Sequence, residues 1–270
     1  MYKRILFFRC IAISLSLMLS TLGVYAQTDD EQFTPYSSQP GKDVVWVPTP
    51  QELVDAMLDM AKVTASDFVI DLGSGDGRLV ITAAKRGAKA MGIEYNPNMV
   101  EIARRAAKEE GVSARASFLN ADLFESDFSD ADVLTLFLLN SINLRLRPTI
   151  LDMKPGTRVV SNTFDMDDWK PDQTRSISDS NSSWDTALLW IVPAKVDGNW
   201  KLVDGNITFV QEFQNITGTI NVGKKDVPLT GKLEGNKISF TAGGVDYTGT
   251  VSGDTISGTN AKGGSWKAIR

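Results

Sequence analysis

The chain has 270 residues, and its composition excludes several kinds of chemistry before any motif is considered. It contains no histidine and a single cysteine, Cys10, near the N-terminus, so the rest of the chain offers no imidazole base, disulfide or cysteine-ligated zinc, and we expect no metal site. Residues 27–193 carry 26 acidic against 16 basic side chains, a balance that disfavours nucleic-acid partners and attracts cationic ones.

The first 26 residues have the pattern of a secretory signal peptide. Three basic residues precede the apolar run 11–25, and Ala26 supplies a small side chain at the expected cleavage point. The run is shorter than the roughly 20 residues of a membrane-spanning helix, which favours cleavage over retention as an anchor. We therefore expect an exported protein, periplasmic or extracellular, with no stable membrane anchor after cleavage.

Residues 27–43 are polar and are predicted to form a loose leader, whereas residues 44–194 alternate between two patterns. The predicted strands lie at 67–72, 89–95, 114–119, 131–139, 157–164 and 185–194, and the predicted helices at 50–63, 77–86, 97–110 and 142–153. The last helical pattern is interrupted by Pro148. Strands separated by helices predict an α/β domain with a Rossmann-like, doubly wound, mostly parallel sheet.

Residues 195–270 differ in composition from the preceding domain. They are rich in Gly, Thr, Asn and Val, and short alternating runs are separated by turn dipeptides such as "DG" and "GN". About eight short strands are expected, which indicates a small all-β antiparallel domain folded as a sandwich or barrel. Glycines recur inside these runs, at positions 218, 231, 249 and 258, where bulges or tight bends are the expected reason.

The segment "DFVIDLGSGDGRLV", residues 67–80, carries the main functional signal. A predicted strand ends at Asp71, glycines follow at alternate positions from Gly73, and a helical pattern begins directly afterwards. Glycines in such a turn let the backbone approach a ligand closely. Arg78 stands where a dinucleotide fingerprint needs glycine, and an acid before the first glycine suits a cationic ligand better than a pyrophosphate.

This acid-glycine pattern resembles motif I of class I S-adenosylmethionine-dependent methyltransferases. The resemblance implies that Asp71 lies near the methionine amine of S-adenosyl-L-methionine and that Gly73, Ser74, Gly75 and Gly77 form the floor of its site. Two further acids follow predicted strands in the order that this family shows. By the resemblance, Glu94 binds the ribose hydroxyls, and Asp122 binds the adenine amine beside a backbone contact from Leu123.

Longer stretches, including "VVWVPTPQELVDAML" and "ADLFESDFSDADVLTLFLLN", resemble a group of small methyltransferases related to the archaeal and mitochondrial protein-lysine methyltransferases. The resemblance covers roughly residues 43–193. It implies that Trp46, Thr49 and Pro50 close over the cofactor. It also implies that Leu136 to Asn140 form a lip around the methyl group, with acceptor contacts from Trp46, Phe137, Leu138 and Asn140. Members of this group often carry histidine where Asn162 stands, so the chain departs from the group at that position.

The function expected from this resemblance is transfer of a methyl group to an amine, foremost a protein lysine. Two alternatives stay open: a small-molecule methyltransferase, and an envelope protein that binds S-adenosylmethionine without turnover. The reaction needs little chemistry from side chains, because positioning of the reactants and exclusion of water are what favour in-line attack on a sulfonium methyl group. An apolar mouth would help by lowering the pKa of the entering amine.

Overall fold

A computed structural model describes residues 33–177, 183–222 and 225–270. The expected signal peptide, residues 1–26, and residues 27–32 of the polar leader lie outside the described residues. Within the described ranges, no helix combines the length and the apolar character needed to cross a membrane.

Residues 51–191 fold into a seven-stranded sheet covered by helices. In chain order, its elements are α1 (Gln51–Met60), β1 (Phe68–Leu72), α2 (Arg78–Lys85), β2 (Lys89–Glu94), α3 (Pro97–Glu109), β3 (Ala116–Asn120), β4 (Val133–Leu136), α4 (Asn140–Leu151), β5 (Arg158–Asn162), β6 (Gln173–Ser176) and β7 (Thr186–Ile191). The strand order is β3-β2-β1-β4-β5-β7-β6. Strands β1 to β5 pair in parallel, and β7 runs antiparallel to β5 and β6. The predicted mostly parallel, Rossmann-like sheet is confirmed.

Each central strand divides its side chains between two buried clusters, one on each face of the sheet. In β1, Val69 joins one cluster and Ile70 the other, as the two-residue period of a strand requires. The first cluster includes the apolar face of α1, where Leu53 and Met57 are buried, and the second includes residues of α4. Because both faces are covered, the open carboxyl ends of the strands are where this sheet can receive a ligand.

Two elements differ from the sequence-based prediction. Helix α4 continues through Pro148 instead of being interrupted there. Proline removes one backbone donor, but Ile142, Leu146 and Ile150 on the same helix are buried, and this packing holds the helix together. Strand β6 is absent from the prediction, because its four residues are polar and exposed at the sheet edge, where no alternation of apolar residues is needed.

Residues 198–269 form a closed, eight-stranded antiparallel barrel. Its strands are β8 (Gly198–Leu202), β9 (Gly205–Glu212), β10 (Asn215–Val222), β11 (Lys225–Glu234), β12 (Lys237–Ala242), β13 (Val245–Ser252), β14 (Thr255–Asn260) and β15 (Ser265–Ile269). Each strand pairs with the next along the chain, and β15 closes the barrel on β8. Inward-facing side chains such as Trp200, Phe209 and Phe240 fill the interior. The predicted all-β antiparallel domain is confirmed as a barrel.

The recurring glycines of the barrel do not mark bulges. Gly218 and Gly231 lie inside ladders whose register is unbroken. A Cβ atom at Gly218 would collide with the Thr208 carbonyl of the next strand, and one at Gly231 with the carbonyl of Ser239. These glycines therefore permit neighbouring strands to approach closely.

The barrel packs against the segment that joins β5 to β7. Three of its side chains make these contacts: Phe213 stacks on Trp169 with ring centroids 5.9 Å apart, Gln214 Nε2 donates to the Lys170 carbonyl at 2.8 Å, and Lys232 Nζ pairs with Asp172 Oδ1 at 2.8 Å. Trp169 is fully buried, and the guanidinium of Arg147 lies over the ring of its stacking partner, Phe213.

We predict that Phe213→Ala lowers the free energy of unfolding by about 2 kcal/mol, because it removes the ring that stacks on Trp169; fully buried Phe→Ala changes cost about 3–5 kcal/mol, and Phe213 is half-buried. Denaturant unfolding followed by circular dichroism measures the change. Val203→Ala is the control, since Val203 is 91% exposed, and it should leave the midpoint unchanged. An unaltered midpoint in Phe213→Ala would show that the stack contributes nothing to stability.

Candidate functional site

A cavity of about 420 Å³ lies at the carboxyl ends of β1, β2 and β4. The residues that line it come from several separate segments, 39–49, 71, 73–76, 93–96, 121–123 and 136–139, together with Met57, Arg78, Leu79, Met99, Ile142, Phe164 and Trp184. This is the edge at which an open α/β sheet is expected to bind a ligand.

The turn after β1 forms the floor of the cavity. Gly73 and Gly75 have positive φ angles of 79° and 51°, a conformation that side-chain-bearing residues rarely adopt. The N–H groups of Gly73 and Ser74 both donate to the Ile93 carbonyl on β2, at 2.8 and 3.1 Å. The Ser74 hydroxyl is buried without a hydrogen-bond partner and packs over Gly92, where a Cβ would lie 2.6 Å from Ser74 Cβ. The turn is thus fixed to β2 before any ligand binds.

Asp71 is a buried acid that lacks a cationic partner among the described residues. Its carboxylate accepts one side-chain hydrogen bond, from Thr135 Oγ1 at 2.7 Å. Burial raises the pKa of Asp71 to about 7, and the nearby carboxylates of Glu94 and Asp76 act in the same direction. A ligand ammonium group would supply the missing positive charge, so the site fits the methionine end of S-adenosylmethionine.

Glu94 ends β2 with both carboxylate oxygens held. Oε2 accepts from the Gly75 N–H and Oε1 from the Asn96 N–H, each at 2.9 Å. A carboxylate oxygen can accept more than one hydrogen bond, so both remain able to receive ligand hydroxyl groups. This arrangement fits a ribose.

Asp122 forms an ion pair with Lys42, which sequence reasoning did not single out. The Lys42 ammonium, followed by the Phe124 N–H at 2.9 Å, holds the pKa of Asp122 below its usual range. Lys42 Nζ also lies 4.9 Å from the centroid of the Tyr95 ring. Lys42 therefore ties the N-terminal segment to the end of β3, and an adenine amine would have to share Asp122 with it.

A short hairpin at residues 36–46, here the roof hairpin, covers the cavity. Ser38 N donates to the Trp46 carbonyl at 2.7 Å, and Trp46 N donates to the Gln39 carbonyl at 3.0 Å. Residues 36–43 were predicted to belong to a loose leader, but here they form part of a hydrogen-bonded hairpin, and residues 39–43 line the cavity. The polar composition of this segment is typical of a solvated stretch. The contacts that order it, such as the ion pair of Lys42 with Asp122, come from residues distant in the sequence and leave no local pattern.

Arg78 anchors the chain where it leaves the roof hairpin. Its Nη1 donates to the Thr49 carbonyl at 2.7 Å, while Asp76 holds the guanidinium through Nε and Nη2. Asn162, buried at the end of β5, donates from Nδ2 to Thr49 Oγ1 at 3.3 Å. Asn162 therefore supports Thr49, and it is absent from the cavity lining.

Three aromatic rings stand together at the end of the cavity away from Asp122, beside the corner between β4 and α4. Phe137, Phe164 and Trp184 line the cavity, with ring centroids 5.3–6.1 Å apart. Only Phe137 was expected from the sequence. Phe164 and Trp184 arrive from the segment between β5 and β7, whose pattern predicted no site.

The structure brings most of the predicted residues together. Those that line the cavity are Trp46, Thr49, Asp71, Gly73, Ser74, Gly75, Glu94, Asp122, Leu123, Leu136, Phe137 and Leu138. Three others lie outside the lining, each for a local reason. Pro50 caps α1 through its carbonyl, a Cβ at Gly77 would lie 2.7 Å from the Phe118 ring, and Asn140 donates to Asp165. Among the described residues, no group of three or more acidic, histidine or cysteine side chains could hold a metal ion.

The strand order, the antiparallel β7, the glycine turn and the acids at successive strand ends define a class I S-adenosylmethionine-dependent methyltransferase. Residues 71–173 match the model of the ANTKMT methyltransferase domain. The chain is 42% identical over 152 residues to the protein-lysine N-methyltransferase of Saccharolobus islandicus, an alignment that covers 55% of this chain and 94% of that protein. The chain belongs to this protein-lysine N-methyltransferase family.

Two further relatives extend the comparison. The adenine nucleotide translocase lysine N-methyltransferase of Mus musculus is 37% identical over 105 residues, which cover 38% of this chain and 46% of that protein, so the match spans less than half of this relative's length. A solved structure named as an RNA methyltransferase from Salinibacter ruber, in complex with S-adenosyl-L-homocysteine, is 47% identical with a TM-score of 0.52. It covers 56% of this chain and 96% of that one.

We predict that Gly75→Ala weakens S-adenosylmethionine binding at least about 10-fold, because the new methyl group would lie 2.8 Å from Trp46 Cδ1 at a backbone φ of 51°. Calorimetric titration measures the affinity. Gly111→Ala is the matched control: its φ is 70°, but no atom lies within 4 Å of the new Cβ. Equal affinity in Gly75→Ala and wild type would contradict the close packing of the roof hairpin on the glycine turn.

We also predict that cofactor affinity falls as the pH is lowered below about 7, by at most tenfold per pH unit, because the ammonium group needs ionised Asp71. The stability of the empty protein should change in the opposite sense. Since the folded pKa lies above the unfolded value of 3.8, stability falls as the pH rises from about 4 to 7. Titrations between pH 5 and 7 test both. Asp71→Asn should bind weakly with no such pH dependence, and a persisting dependence would assign the titration to another group.

Proposed function

We propose that the chain transfers the methyl group of S-adenosylmethionine to the ε-amine of lysine in a protein. The main support for this proposal is that one cavity contains both a buried acid, Asp71, and an aromatic end formed by Phe137, Phe164 and Trp184. The first fits the cofactor's ammonium group, and the second fits a long side chain that ends in an amine. The 42% identical relative supports the choice of lysine.

The bound cofactor supplies an electrophilic methyl group on a sulfonium sulfur. A neutral lysine amine would take this methyl group in line, with the new N–C bond replacing the C–S bond, and would then release a proton. The residues of the chain position the two reactants and exclude water from them. Leu138 is buried and Phe137 half-buried at the β4–α4 corner, where they exclude water from the reacting atoms.

The amine has to lose a proton before it can attack, and lysine in water has a pKa of about 10.4. Desolvation at the apolar corner between β4 and α4, where Leu138 is buried, lowers that value, because burial penalises the ammonium form. The acidic excess of residues 27–193 attracts the cationic side chain to the surface of this domain.

Purified protein incubated with labelled S-adenosylmethionine, an extract of envelope proteins and total RNA from the same cells tests this function. We predict label in protein, recovered as methyl-lysine by mass spectrometry, and its loss in Asp71→Asn. Label in RNA, the substrate class in the name of the Salinibacter relative, or in a small amine would replace the proposal. The acidic excess of residues 27–193 argues against RNA.

We further propose that the protein acts outside the cytoplasmic membrane. The support is the basic start, the apolar run and Ala26 in the first 26 residues. Cell fractionation with N-terminal sequencing should find a product that begins at Gln27 in the envelope or medium. A cytosolic product that begins at Met1 would overturn export and leave the methyl-transfer proposal intact.

A further inference from the structure

The cavity end formed by Phe137, Phe164 and Trp184, here the aromatic wall, has features that general hydrophobic packing does not require. All three rings are half-buried and line the cavity instead of lying within the two buried clusters of the sheet. Each ring contacts the other two: the centroids of Phe164 and Trp184 are 5.3 Å apart, and Phe137 lies 6.1 and 5.9 Å from them. The rings thus form one continuous π surface.

Phe164 is directed into the cavity by a strained turn. The residue before it, Thr163, has a φ of 61°, which is unfavourable for a β-branched side chain. The turn is compact, because the Phe164 N–H donates to the Asn162 carbonyl at 2.7 Å. The strained turn directs the chain away from the axis of β5, and the next residue, Phe164, lines the cavity.

Buried polar groups hold this turn in place. The Phe164 carbonyl accepts from Ser161 Oγ at 2.7 Å and from Asn143 Nδ2 at 3.0 Å. Asn143 has no exposed surface, donates also to the Asp165 carbonyl at 3.3 Å, and leaves its own Oδ1 without a partner. Two buried polar side chains and a strained residue therefore fix the position of one phenyl ring.

We propose that Phe164 and Trp184, with Phe137, are the specificity-determining residues that bind the acceptor side chain as a cation, through the π faces of their rings. This assignment rests on the proposed lysine methylation and extends it, since it names the groups that select the acceptor. Aromatic faces attract Lys ammonium and, with less desolvation cost, alkylated ammonium groups. The acidic excess of residues 27–193 adds a long-range attraction for a cationic side chain.

Binding measured without turnover separates this role from plain hydrophobic packing. In the presence of S-adenosylhomocysteine, we expect a peptide with trimethyl-lysine to bind wild-type protein about 5- to 30-fold more tightly than the same peptide carrying the uncharged tert-butyl isostere. Phe164→Leu and Trp184→Leu should remove this preference, whereas Phe164→Tyr and Trp184→Phe should keep it. Equal binding of the two peptides by wild type, or a preference that survives both leucine variants, overturns the assignment.

Steady-state kinetics give a second readout. Each leucine variant should raise the acceptor KM about 10-fold while the calorimetric Kd of S-adenosylmethionine changes less than about twofold. Trp266→Leu is the matched control, because Trp266 belongs to a separate aromatic cluster with Phe240 and Tyr247 in the barrel, and its KM should equal that of wild type. Absence of methyl-lysine with wild-type protein would refute the proposed function. Normal turnover with an unchanged KM in both leucine variants would refute only the role of the aromatic wall.

Discussion

The cofactor end of the cavity depends on one buried carboxyl group. Asp71 lies at the end of β1 with a single side-chain hydrogen bond, from Thr135, and its burial makes the charged form unfavourable until a cation arrives. The glycine turn begins two residues later and is fixed to β2 through the Ile93 carbonyl, and Glu94 in turn holds the Gly75 N–H. The site around Asp71 is therefore assembled before the ligand binds. The free energy gained when the ligand's ammonium group pairs with the Asp71 carboxylate contributes to binding affinity.

The sequence was sufficient to predict the parts of the fold that follow local periodicity. Apolar runs in the sequence mark the buried parallel strands, whose carboxyl ends meet at one edge of the sheet. The ends of these runs therefore predicted that Asp71, Glu94 and Asp122 lie close together. The sequence could not predict which glycines line the cavity. Gly75 and Gly77 look alike in the motif, yet the ring of Phe118 and the methyl group of Ala103 take the space beside Gly77.

The residues that sequence reasoning missed share a different property: their positions depend on tertiary contacts of segments without a local pattern. Lys42 lies in a polar stretch typical of a solvated segment, and its role is visible only through its ion pair with Asp122. Phe164 follows a threonine whose positive φ no propensity would suggest. In both cases the folded environment overrides a local preference, and such conflicts between local rule and observed structure tend to fall at functional sites.

The contact between the barrel and Trp169, Lys170 and Asp172 has a consequence for how the two ends of the cavity change over evolution. Those residues lie in the segment between β5 and β7 that also carries Phe164 and Trp184, whereas the glycine turn follows β1 and the acids lie at or just after the ends of β1, β2 and β3. A substitution in the barrel can therefore shift the support of the proposed acceptor end while the cofactor site keeps its geometry. If the aromatic wall selects the acceptor as proposed, the barrel is a region in which acceptor preference can change without loss of methyl transfer.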